Sequence, residues 1–395
     1  MSYQNIDTVR SAIGGSVSGR AITATLYVSP NGDDTDGSTW TKAYTTIQGA
    51  LDVASTDAND CTLILVAPHA TYYNIDTTGD PTWTGNYEIK GTHRLWAPVR
   101  NEHNGATSIF KFTGKVSIED LALFSTDNGV GGSVGGVIFT KAGYRVRACG
   151  FNSEATTHAN KSIHIDGSAA FVRGGILDGI QIQGNVSYTT GLYMDTAKIN
   201  TTEHINFHTC LNAIQIVDTD SDGNYFCDLE IGDCNIGLNL DAGNEQHFEG
   251  ISFHGNTTNI DDEVGDHSWN NINGEFPITI EPTGGANYAG VAVSAGEDAY
   301  GGDTELRAAA TATRPFKVIG FKFEPSEEKK FLTRFSADSG TTFFNMDLTE
   351  VKKNKAAGAS QGTDFIFNKG TRISCSSGCE AAGKTIQVWL EIQEI

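Results

Sequence analysis

Residues 204–260 read HINFHTCLNAIQIVDTDSDGNYFCDLEIGDCNIGLNLDAGNEQHFEGISFHGNTTNI, and similar residues recur in this run every 22 to 24 positions. The residues that follow equivalent short apolar strands are Cys210, Cys234 and Asn256. The apolar residues that open the next strand are Ile214, Leu238 and Ile260. Self-similarity at a fixed period is typical of stacked architectures in which each repeat is one structural unit. The run therefore predicts coils of about two dozen residues.

The same period extends toward the N-terminus. The earlier strand anchors are Ile138, Ile163 and Leu192, and apolar pairs five residues apart recur at Val146–Phe151, Val172–Leu177, Phe226–Ile231 and Phe248–Phe253. In a parallel β-helix each coil stacks on the previous one, so that inward positions form apolar ladders. A β-sandwich is the alternative, but its strands would not recur at one coil length. The pattern predicts an all-β protein whose residues 25–276 form a parallel β-helix.

One amphipathic helix interrupts the β pattern. Ala43, Ile47, Ala50, Leu51 and Ala54 recur at helical spacing and predict a helix over 43–54. An open β-helix end exposes unpaired backbone groups, so we expect this helix to cap the N-terminal end. Residues 1–24 are predicted to be an anchoring segment.

Near residue 276 the coil period stops and a Gly-rich stretch follows. About eight strand-like runs occupy residues 277–395, which predicts a β-sandwich of jelly-roll type. In this part Cys375 and Cys379 bracket Ser-Ser-Gly. Two alternatives stay open for these cysteines, a hairpin disulfide in an oxidising setting and two reduced thiols.

Two segments resemble known families. Residues 26–73, LYVSPNGDDTDGSTWTKAYTTIQGALDVASTDANDCTLILVAPHATYY, resemble the opening of right-handed β-helix proteins of the pectate-lyase-like superfamily, with a departure at His69-Ala70 where the family usually has Gly-Thr. Residues 370–395, GTRISCSSGCEAAGKTIQVWLEIQEI, look like the closing hairpin of β-sandwich domains on phage virion proteins. The first resemblance implies a right-handed β-helix. That superfamily includes polysaccharide lyases and hydrolases as well as tailspikes and fibres of tailed phages, so fold alone does not choose among these functions.

Charge excludes some partners. The chain has 395 residues with 27 Lys+Arg against 48 Asp+Glu, a net charge of −21 that repels nucleic acid and anionic lipid. No apolar run is long enough to span a membrane, and the N-terminus lacks the features of a secretory signal. Residues 199–306 contain 20 acidic residues and no Lys or Arg, whereas residues 307–355 contain ten basic and six acidic residues. Charge complementarity between subunits of a homo-oligomer is one interpretation, and solvated surfaces are the other.

The run Asp218, Asp220, Asp222 followed by Gly223 matches the first half of a calcium loop, in which alternate carboxylates converge on a hard cation. The twelfth position is Leu229 instead of Glu. The alternatives are a partial Ca²⁺ site that borrows other ligands and a solvated turn. No other cofactor is predicted.

Candidate glycan contacts are aromatic and basic residues. The aromatic candidates, whose rings stack on sugar faces, are Trp83, Trp96, Tyr188 and Trp269. Arg147 and Arg173 lie 26 residues apart and are expected to stack on one outer face, where they bind an anionic sugar or pair with neighbouring acids. The histidines of the late coils are interpreted as surface or turn residues, because sequence does not show whether three metal ligands converge.

No catalytic residues are predicted. Asp261-Asp262 resemble one polygalacturonase element, but the elements that accompany it in that family are absent. These features, together with the resemblance to virion proteins, predict a non-enzymatic structural or adhesion protein on the virion surface of a tailed phage. We expect a spike, turret, fibre or decoration that is a homo-oligomer, trimeric or higher, and is assembled in the host cytoplasm. Its expected partners are other virion proteins and host surface polysaccharide. The alternative function is a polysaccharide lyase or depolymerase.

Overall fold

The structure is a computed structural model. It describes residues 21–75, 82–93, 97–101, 108–126, 134–154, 159–169, 171–264, 267–274, 278–281, 291–297, 304–307, 315–325, 331–336, 343–346, 357–359, 366–368, 370–379 and 384–394. The predicted anchoring segment 1–24 lies outside these residues except for its last four. The chain divides into two compact units between Asp261 and Asp262. The sequence pattern places the boundary later, after residue 276, where the coil period stops.

Three parallel sheets form the first unit, which is a right-handed parallel β-helix. Sheet A contains β1 (Ala24–Val28), β2 (Thr62–Val66), β4 (Tyr87–Gly91), β7 (Val116–Glu119), β10 (Arg145–Arg147), β14 (Ile176–Asp178), β18 (Thr201–Glu203), β21 (Tyr225–Cys227) and β24 (His247–Glu249). Sheet B contains β3 (Tyr73–Ile75), β5 (Pro98–Asn101), β8 (Ala122–Thr126), β11 (Gly150–Glu154), β15 (Gln181–Gln183), β19 (Asn206–His208), β22 (Glu230–Gly232) and β25 (Ser252–His254). Sheet C contains β6 (Ser108–Phe112), β9 (Val134–Phe139), β12 (Asn160–Asp166), β16 (Thr189–Asp195), β20 (Asn212–Ile216), β23 (Ile236–Leu240) and β26 (Thr258–Asp262). A short extra pair joins β13 (Val172–Arg173) to β17 (Ala197–Lys198). The predicted fold class is confirmed.

Strand register confirms most of the predicted coil period. Ile214 pairs with Leu238, and Ile163 pairs with Leu192, so these inward side chains lie one above another. One anchor is wrong by a single residue, because Ile163 pairs with Val137 and the predicted anchor Ile138 faces outward. The strand contains apolar residues on both faces, so alternation did not mark the inward one.

The predicted pair Val172–Leu177 is also wrong. Leu177 takes the position of Val146, and the residue that takes the position of Phe151 is Ile182. Val172 belongs instead to the extra strand β13. This coil is longer than its neighbours because it contains the added strand β13. Val172 on that strand happens to lie five residues before Leu177, which imitates the spacing between sheets A and B in the other coils.

A residue in the left-handed region begins the corner between sheets A and B on successive coils. These residues are Asp120, Ala148, Gly179, His204, Asp228 and Gly250, with φ between 51° and 66°. Each of the first five donates its backbone N–H to a carbonyl of the following coil, at 2.9 to 3.2 Å. Each of these corners consists of two residues, of which the first is left-handed. Because the corners repeat in register, sheet B begins at the same distance from sheet A on these coils.

Apolar side chains fill the interior in columns. Phe226 and Phe248, for example, stack with ring centroids 5.0 Å apart and planes within 14°, and both are fully buried. Burying a side chain of this size stabilises the folded chain by about 1.5–3 kcal/mol relative to exposure. Such columns continue from coil to coil, so the apolar side chains of each coil are buried by those of the neighbouring coils.

A ladder of buried amides runs alongside the apolar columns. The Asn200 backbone N–H donates to Asn224 Oδ1 at 3.0 Å, and the Asn224 backbone N–H donates to Gln246 Oε1 at 3.3 Å. Their side-chain amides also bond to one another, with Asn200 Nδ2 to Asn224 Oδ1 at 2.9 Å and Asn224 Nδ2 to Gln246 Oε1 at 3.0 Å. All three side chains are buried, so these bonds satisfy turn backbone that water does not reach.

The stacked turn residues Cys210, Cys234 and Asn256 play the same role. The Cys210 backbone N–H donates to Cys234 Sγ at 3.4 Å, and the Cys234 backbone N–H donates to Asn256 Oδ1 at 2.8 Å. Their predicted equivalence is confirmed. Cys210 and Cys234 are both buried. Another buried cysteine is Cys149, and its burial raises the pKa of its thiol to about 12.

The helix α1 (Ile47–Val53) is shorter than the predicted span of 43–54. Thr46 Oγ1 accepts the Gly49 backbone N–H at 3.0 Å and starts the helix, while Tyr44 pairs with the strand residue Val28. The helix buries Ile47, Ala50 and Leu51 and packs against β1, β2 and β3. It does not precede all coil strands, because β1 comes before it and pairs with β2. The described part of the chain contains no helix with the length and apolarity that a bilayer crossing requires.

The second unit is also built from strands. They are β27 (Ser268–Asn270), β28 (Asn273–Gly274), β29 (Ile278–Glu281), β30 (Val291–Glu297), β31 (Thr304–Arg307), β32 (Phe316–Pro325), β33 (Phe331–Ser336), β34 (Phe343–Met346), β35 (Ala357–Ala359), β36 (Ile366–Phe367), β37 (Ile373–Cys379) and β38 (Thr385–Glu394). The sheet order is β34-β33-β37-β30-β38-β32-β35, and among these pairs only β30 with β37 is parallel. This antiparallel arrangement agrees with a C-terminal β-domain, and its jelly-roll topology stays a prediction.

We predict that Asn224→Ala lowers the free energy of unfolding by about 3 kcal/mol, because it leaves several buried donors and acceptors of two neighbouring coils without partners. Chemical denaturation followed by circular dichroism measures this change. The control Ser252→Ala removes an exposed hydroxyl from sheet B and should change the free energy by less than about 0.5 kcal/mol. Equal effects of the two substitutions would contradict a stabilising amide ladder.

Candidate functional site

The outer face of sheet B carries two columns of aligned side chains, set by the strand register. Column one consists of Phe124, Asn152, Gln183, His208, Gly232 and His254. Column two consists of Ala122, Gly150, Gln181, Asn206, Glu230 and Ser252. The residues between them in sequence point into the core, as strand alternation requires. The outer face is therefore an ordered surface of amide, aromatic and imidazole groups.

A groove of about 330 Å³ lies between the two columns. It is lined by Ala122, Phe124, Gly150, Phe151, Asn152, Gln181, Ile182, Gln183, Asn206 and His208. Ala122 and Gly150 contribute small residues to the groove. On later coils the longer amide side chains of Gln181, Gln183 and Asn206 line it. Among these lining residues there is no carboxylate and no lysine or arginine.

A second depression of about 650 Å³ adjoins the first, and Phe124 lines both. Tyr72 contacts the Phe124 ring edge to face, with centroids 5.1 Å apart. The Arg100 guanidinium lies 5.2 Å from the centre of the Tyr72 ring. Aromatic rings and a cation thus meet at the N-terminal end of the face, whereas amides dominate its middle.

Such a surface can bind sugars without performing chemistry on them. Half-exposed rings offer apolar faces to C–H groups, and each amide offers donors and an acceptor to hydroxyl groups. Glycoside hydrolysis uses two carboxylates about 5–9.5 Å apart across the scissile bond, and the described lining residues provide none.

Asp261-Asp262 do not supply a catalytic pair. Asp261 is exposed and Asp262 is buried, because they alternate on β26. Asp262 Oδ1 lies 3.5 Å from His267 Nε2, and both side chains are inaccessible to solvent.

Among the residues that the structure describes, three groups of histidine and acidic side chains bring possible metal-ligand atoms within 4.8 Å of one another: His208, Glu230 and His254; His164, Asp166 and Asp195; and Asp178, Glu203 and His204. The interpretation of the late-coil histidines as surface or turn residues did not include this convergence of ligand atoms, which the structure shows. The first group continues the sheet B columns beyond the groove, and His208 belongs to both.

The group of His164, Asp166 and Asp195, which lies on sheet C, differs from the group of His208 in having a lysine beside it. Burial and, to a lesser extent, the ammonium group of Lys161 together lower the pKa of His164 to about 4. Lys161 itself lies 3.4 Å from the centre of the Tyr193 ring, and burial lowers its pKa. His164 is therefore neutral near pH 7 beside a resident cation.

Two predicted glycan contacts are wrong. Trp83 is only 5% exposed, packs against Phe110 and places its Nε1 3.4 Å from Asp52 Oδ1. Trp269 is 8% exposed, and its Nε1 donates to Asn368 Oδ1 at 3.1 Å. Both indoles serve as core residues with a satisfied N–H, so neither ring face is available to a sugar.

The other two aromatic candidates differ. Trp96 lies outside the described residues. Tyr188 is half-buried in the turn before β16, and it does not line the sheet B groove. Its role in glycan binding stays a prediction.

Arg147 and Arg173 do not stack on one another. Arg147 pairs in register with Asp178, and its Nε lies 3.5 Å from Asp178 Oδ2. Arg173 lies on β13, in register with Lys198 on β17. The expected stacking of the two arginines is wrong because Arg173 belongs to the extra strand β13. Arg147 instead has an acidic neighbour, Asp178, which agrees with the second alternative of pairing with neighbouring acids.

The acidic run does not converge in the described structure. Lys198 Nζ lies 3.3 Å from Asp220 Oδ1 and 3.2 Å from Asp222 Oδ2, while Asp218 Oδ1 accepts the Asp220 backbone N–H at 2.7 Å. The Asp222 and Asp220 carboxylates raise the pKa of Lys198, which keeps it charged. Two carboxylates therefore already have a cationic partner, and a calcium ion would have to displace it. The Ca²⁺ site stays a prediction.

The predicted hairpin disulfide is wrong. Cys375 and Cys379 lie on one continuous strand, β37, and Cys375 is buried and forms no disulfide. Four steps along an extended strand separate Cα atoms by about 13 Å, beyond the roughly 7 Å that a disulfide tolerates. The Ser-Ser-Gly between them continues the strand instead of turning it.

The groove residues Phe124, Asn152 and Gln183 were missed by sequence reasoning, which searched for tryptophan and charged groups. Their alignment depends on coil lengths that differ from one coil to the next. The available indication was weak: each is the outward neighbour of an inward apolar residue, namely Leu123, Phe151 and Ile182.

No protein-family model matches the chain, and no curated protein sequence matches it. Among solved structures, it is similar to the pectate lyase Pel9A, with 12% identity, 64% of this chain and 81% of that chain covered, and a TM-score of 0.37. It is also similar to ORF18 of Geobacillus virus E2, with 11% identity, coverage of 93% and 80%, and a TM-score of 0.35. A third is tailspike protein 2 from Escherichia coli O157:H7 bacteriophage CAB120, with 10% identity, coverage of 87% and 68%, and a TM-score of 0.33.

We predict that Lys198→Met increases the affinity of the chain for Ca²⁺, because it removes the ammonium that competes for Asp220 and Asp222. Calorimetric titration of both proteins with Ca²⁺ measures the change. Asp222→Asn in the Lys198→Met background should reverse the gain. Equal Ca²⁺ affinity of wild type and Lys198→Met would show that these carboxylates do not form a calcium site.

Proposed function

We propose that this protein binds bacterial surface polysaccharide along the outer face of sheet B and serves as a non-enzymatic adhesion component of a tailed-phage virion. The observation that carries the proposal is the groove of aromatic and amide side chains in columns one and two. It adds to the sequence resemblance to β-helix and virion proteins. One of the solved structures reported above is a phage tailspike, and its likeness to this chain concerns the fold alone.

The shape of the surface favours an extended polymer. Neighbouring strands of a sheet lie about 4.8 Å apart, so polar groups recur along the face at that spacing. A linear glycan that follows the helix axis meets such groups repeatedly. The two adjoining depressions extend this contact from Tyr72 to His208.

The lining chemistry favours recognition of hydroxyl groups. Asn152, Gln183 and Asn206 present neutral amides, which donate and accept hydrogen bonds without a strong charge. Phe124 supplies the apolar platform at the point where the two depressions meet. A sugar with axial C–H groups on one face and hydroxyls at its edge matches both features.

The alternative function is a polysaccharide lyase or depolymerase. The observation that favours it is the position of Glu230 beside His208 at the end of the groove, since both residue types act as general acids or bases. Against it stands the need of glycoside hydrolysis for a second carboxylate, because the described lining residues of the groove include no carboxylate at all. An assay for new reducing ends or unsaturated products on the bound polysaccharide separates the two functions.

We predict that Phe124→Ala weakens polysaccharide binding about tenfold, because a stacked aromatic contributes on the order of 1–1.5 kcal/mol. Gln183→Ala should weaken it less, by the loss of one neutral hydrogen bond. Isothermal titration against a panel of purified bacterial capsular and exopolysaccharides measures both. The control is Trp40→Ala, which removes an exposed aromatic ring that packs on Tyr27, away from sheet B.

Binding that survives Phe124→Ala but falls with Trp40→Ala would move the site away from sheet B. Absence of binding across the panel would overturn the proposed function. Product formation by the wild-type chain, lost in Glu230→Gln, would replace it with the depolymerase.

We further infer that the chain forms a homo-oligomer through the edge where β13 pairs with β17. Ile199 is 68% exposed and has φ of 52°, a strained conformation for a β-branched residue. Phe171, which is 52% exposed, lies nearby with Lys198 Nζ 4.7 Å from its ring centre. Backbone strain and exposed apolar side chains both raise the free energy of a monomer. Burial of these side chains against another subunit would remove their contact with water.

We predict that Ile199→Gly stabilises the isolated chain by about 1 kcal/mol, since glycine adopts this φ without strain, and yet weakens self-association. Denaturation at low concentration measures the first effect, and light scattering over a concentration series measures the second. Val186→Gly removes another exposed apolar residue outside this edge and should leave the mass unchanged. A monomer at every concentration, for wild type and variant alike, would refute the oligomer.

A further inference from the structure

We propose that His208, Glu230 and His254 bind a zinc ion on the outer face of sheet B. They lie on β19, β22 and β25, the corresponding strands of three successive coils. This proposal does not depend on glycan binding, because it concerns the affinity of the chain for the metal alone.

The three side chains converge in space. Each offers one ligand atom, and these atoms lie within 4.8 Å of one another. Glu230 Oε1 is 3.3 Å from His254 Nε2, and the two imidazole ring centres are 5.6 Å apart at 47°. Tetrahedral zinc with bonds of about 2.0–2.1 Å holds its ligand atoms about 3.4 Å apart. A small rotation of side chains that are already half-exposed brings the set to that geometry.

Gly232 makes this convergence sterically feasible. It lies in register between His208 and His254, on the intervening coil. A Cβ on Gly232 would lie 1.9 Å from Cε1 of His254, so the imidazole occupies the space where any other residue has its side chain. The two histidines, two coils apart, therefore approach each other over a glycine that has no side chain to separate them.

The electrostatics of the group favour a cation. His254 Nε2 is shielded from solvent and has no hydrogen-bond partner of good geometry among the described residues, although a carboxylate oxygen lies 3.3 Å away. No lysine or arginine occurs anywhere between residues 199 and 306. A metal ion would satisfy this shielded nitrogen and neutralise the carboxylate together.

The other two groups already contain a cation. Arg147 Nε lies 3.5 Å from Asp178 Oδ2 in the group that includes His204. The group that includes His164 lies beside Lys161, whose charge lowers the pKa of His164. A metal ion would meet a like charge in each of these places. The same ligand types therefore lead to different expectations for the three groups.

The donor set selects zinc over calcium. Two imidazole nitrogens and one carboxylate oxygen suit a borderline metal such as Zn²⁺, whereas Ca²⁺ takes oxygen ligands. Three protein ligands leave the fourth tetrahedral position for water. Because His208 also lines the groove, that position would face its end.

The test uses the full chain without an affinity tag, stripped of metal by a chelator and titrated calorimetrically with Zn²⁺. We expect one ion per chain at this site. His208→Ala, His254→Ala and Glu230→Gln should each weaken binding by about 100-fold or more, as loss of a direct ligand exceeds the 10- to 100-fold loss typical of an outer partner. Gly232→Ala should also weaken it, because the methyl group displaces His254.

The matched control is His204→Ala, which removes a histidine from the group that Arg147 already neutralises and should leave the affinity unchanged. Circular dichroism of each metal-free variant verifies folding. Zn²⁺ should raise the melting temperature of wild type and not that of His254→Ala, because an ion that binds only the folded chain stabilises it. Co²⁺ substitution should give the absorption of a tetrahedral nitrogen and oxygen site.

No Zn²⁺ binding by wild type, or equal affinity in wild type and the three ligand variants, would overturn the proposal. A sulfur-to-cobalt absorption band would place the ion at a cysteine and would also overturn it. Equal losses of Zn²⁺ affinity in His204→Ala and His254→Ala would also overturn the proposal, because they would show that affinity follows the number of histidines and not this site.

Discussion

In-register stacking of one coil on the next is the constraint on which the rest of this structure depends. Each coil obtains both its strand hydrogen bonds and the burial of its apolar side chains from its neighbours, so a coil has no stable structure alone. The amide ladder of Asn200, Asn224 and Gln246 extends the same constraint to the turns, since each amide accepts a backbone N–H from the coil before it. Cys234 fills an equivalent place with sulfur as acceptor.

Stacking also determines what the outer face can do. Because the corner between sheets A and B has the same length of two residues on the coils from Asp120 to Gly250, side chains at equal distance from it fall into columns. A column converts residues about two dozen positions apart into direct neighbours. The groove and the histidine cluster are two segments of the same columns, and they differ in which side chains the sequence places there. Phe124 and Gln183 favour sugars, whereas His208 and His254, with Gly232 between them, favour a metal.

The sequence predicts the architecture well and the site poorly, for one physical reason. Inward residues such as Ile214 and Leu238 must be apolar, so their period is visible without a structure. Outward residues have no common polarity, and their alignment requires the register of every coil. The coil that contains β13 is longer, and there the period misplaced both Val172 and Arg173. Residue type alone also misled, because Trp83 is buried where a surface platform was expected.

The late coils show how charge and stacking act together. Between residues 199 and 306 the histidines are the only side chains able to carry a positive charge, although 20 carboxylates are present. Lys198, just before this stretch, lies 3.3 Å from Asp220 Oδ1 and 3.2 Å from Asp222 Oδ2. Other described carboxylates bond to amide groups, as Asp241 does with Gln215 Nε2. Glu230 instead lies beside His254, at the one place in sheet B where a glycine lets two imidazoles approach each other. No residue between 199 and 306 supplies Glu230 with an ammonium or guanidinium group, and we propose that a cation from outside the chain takes that place.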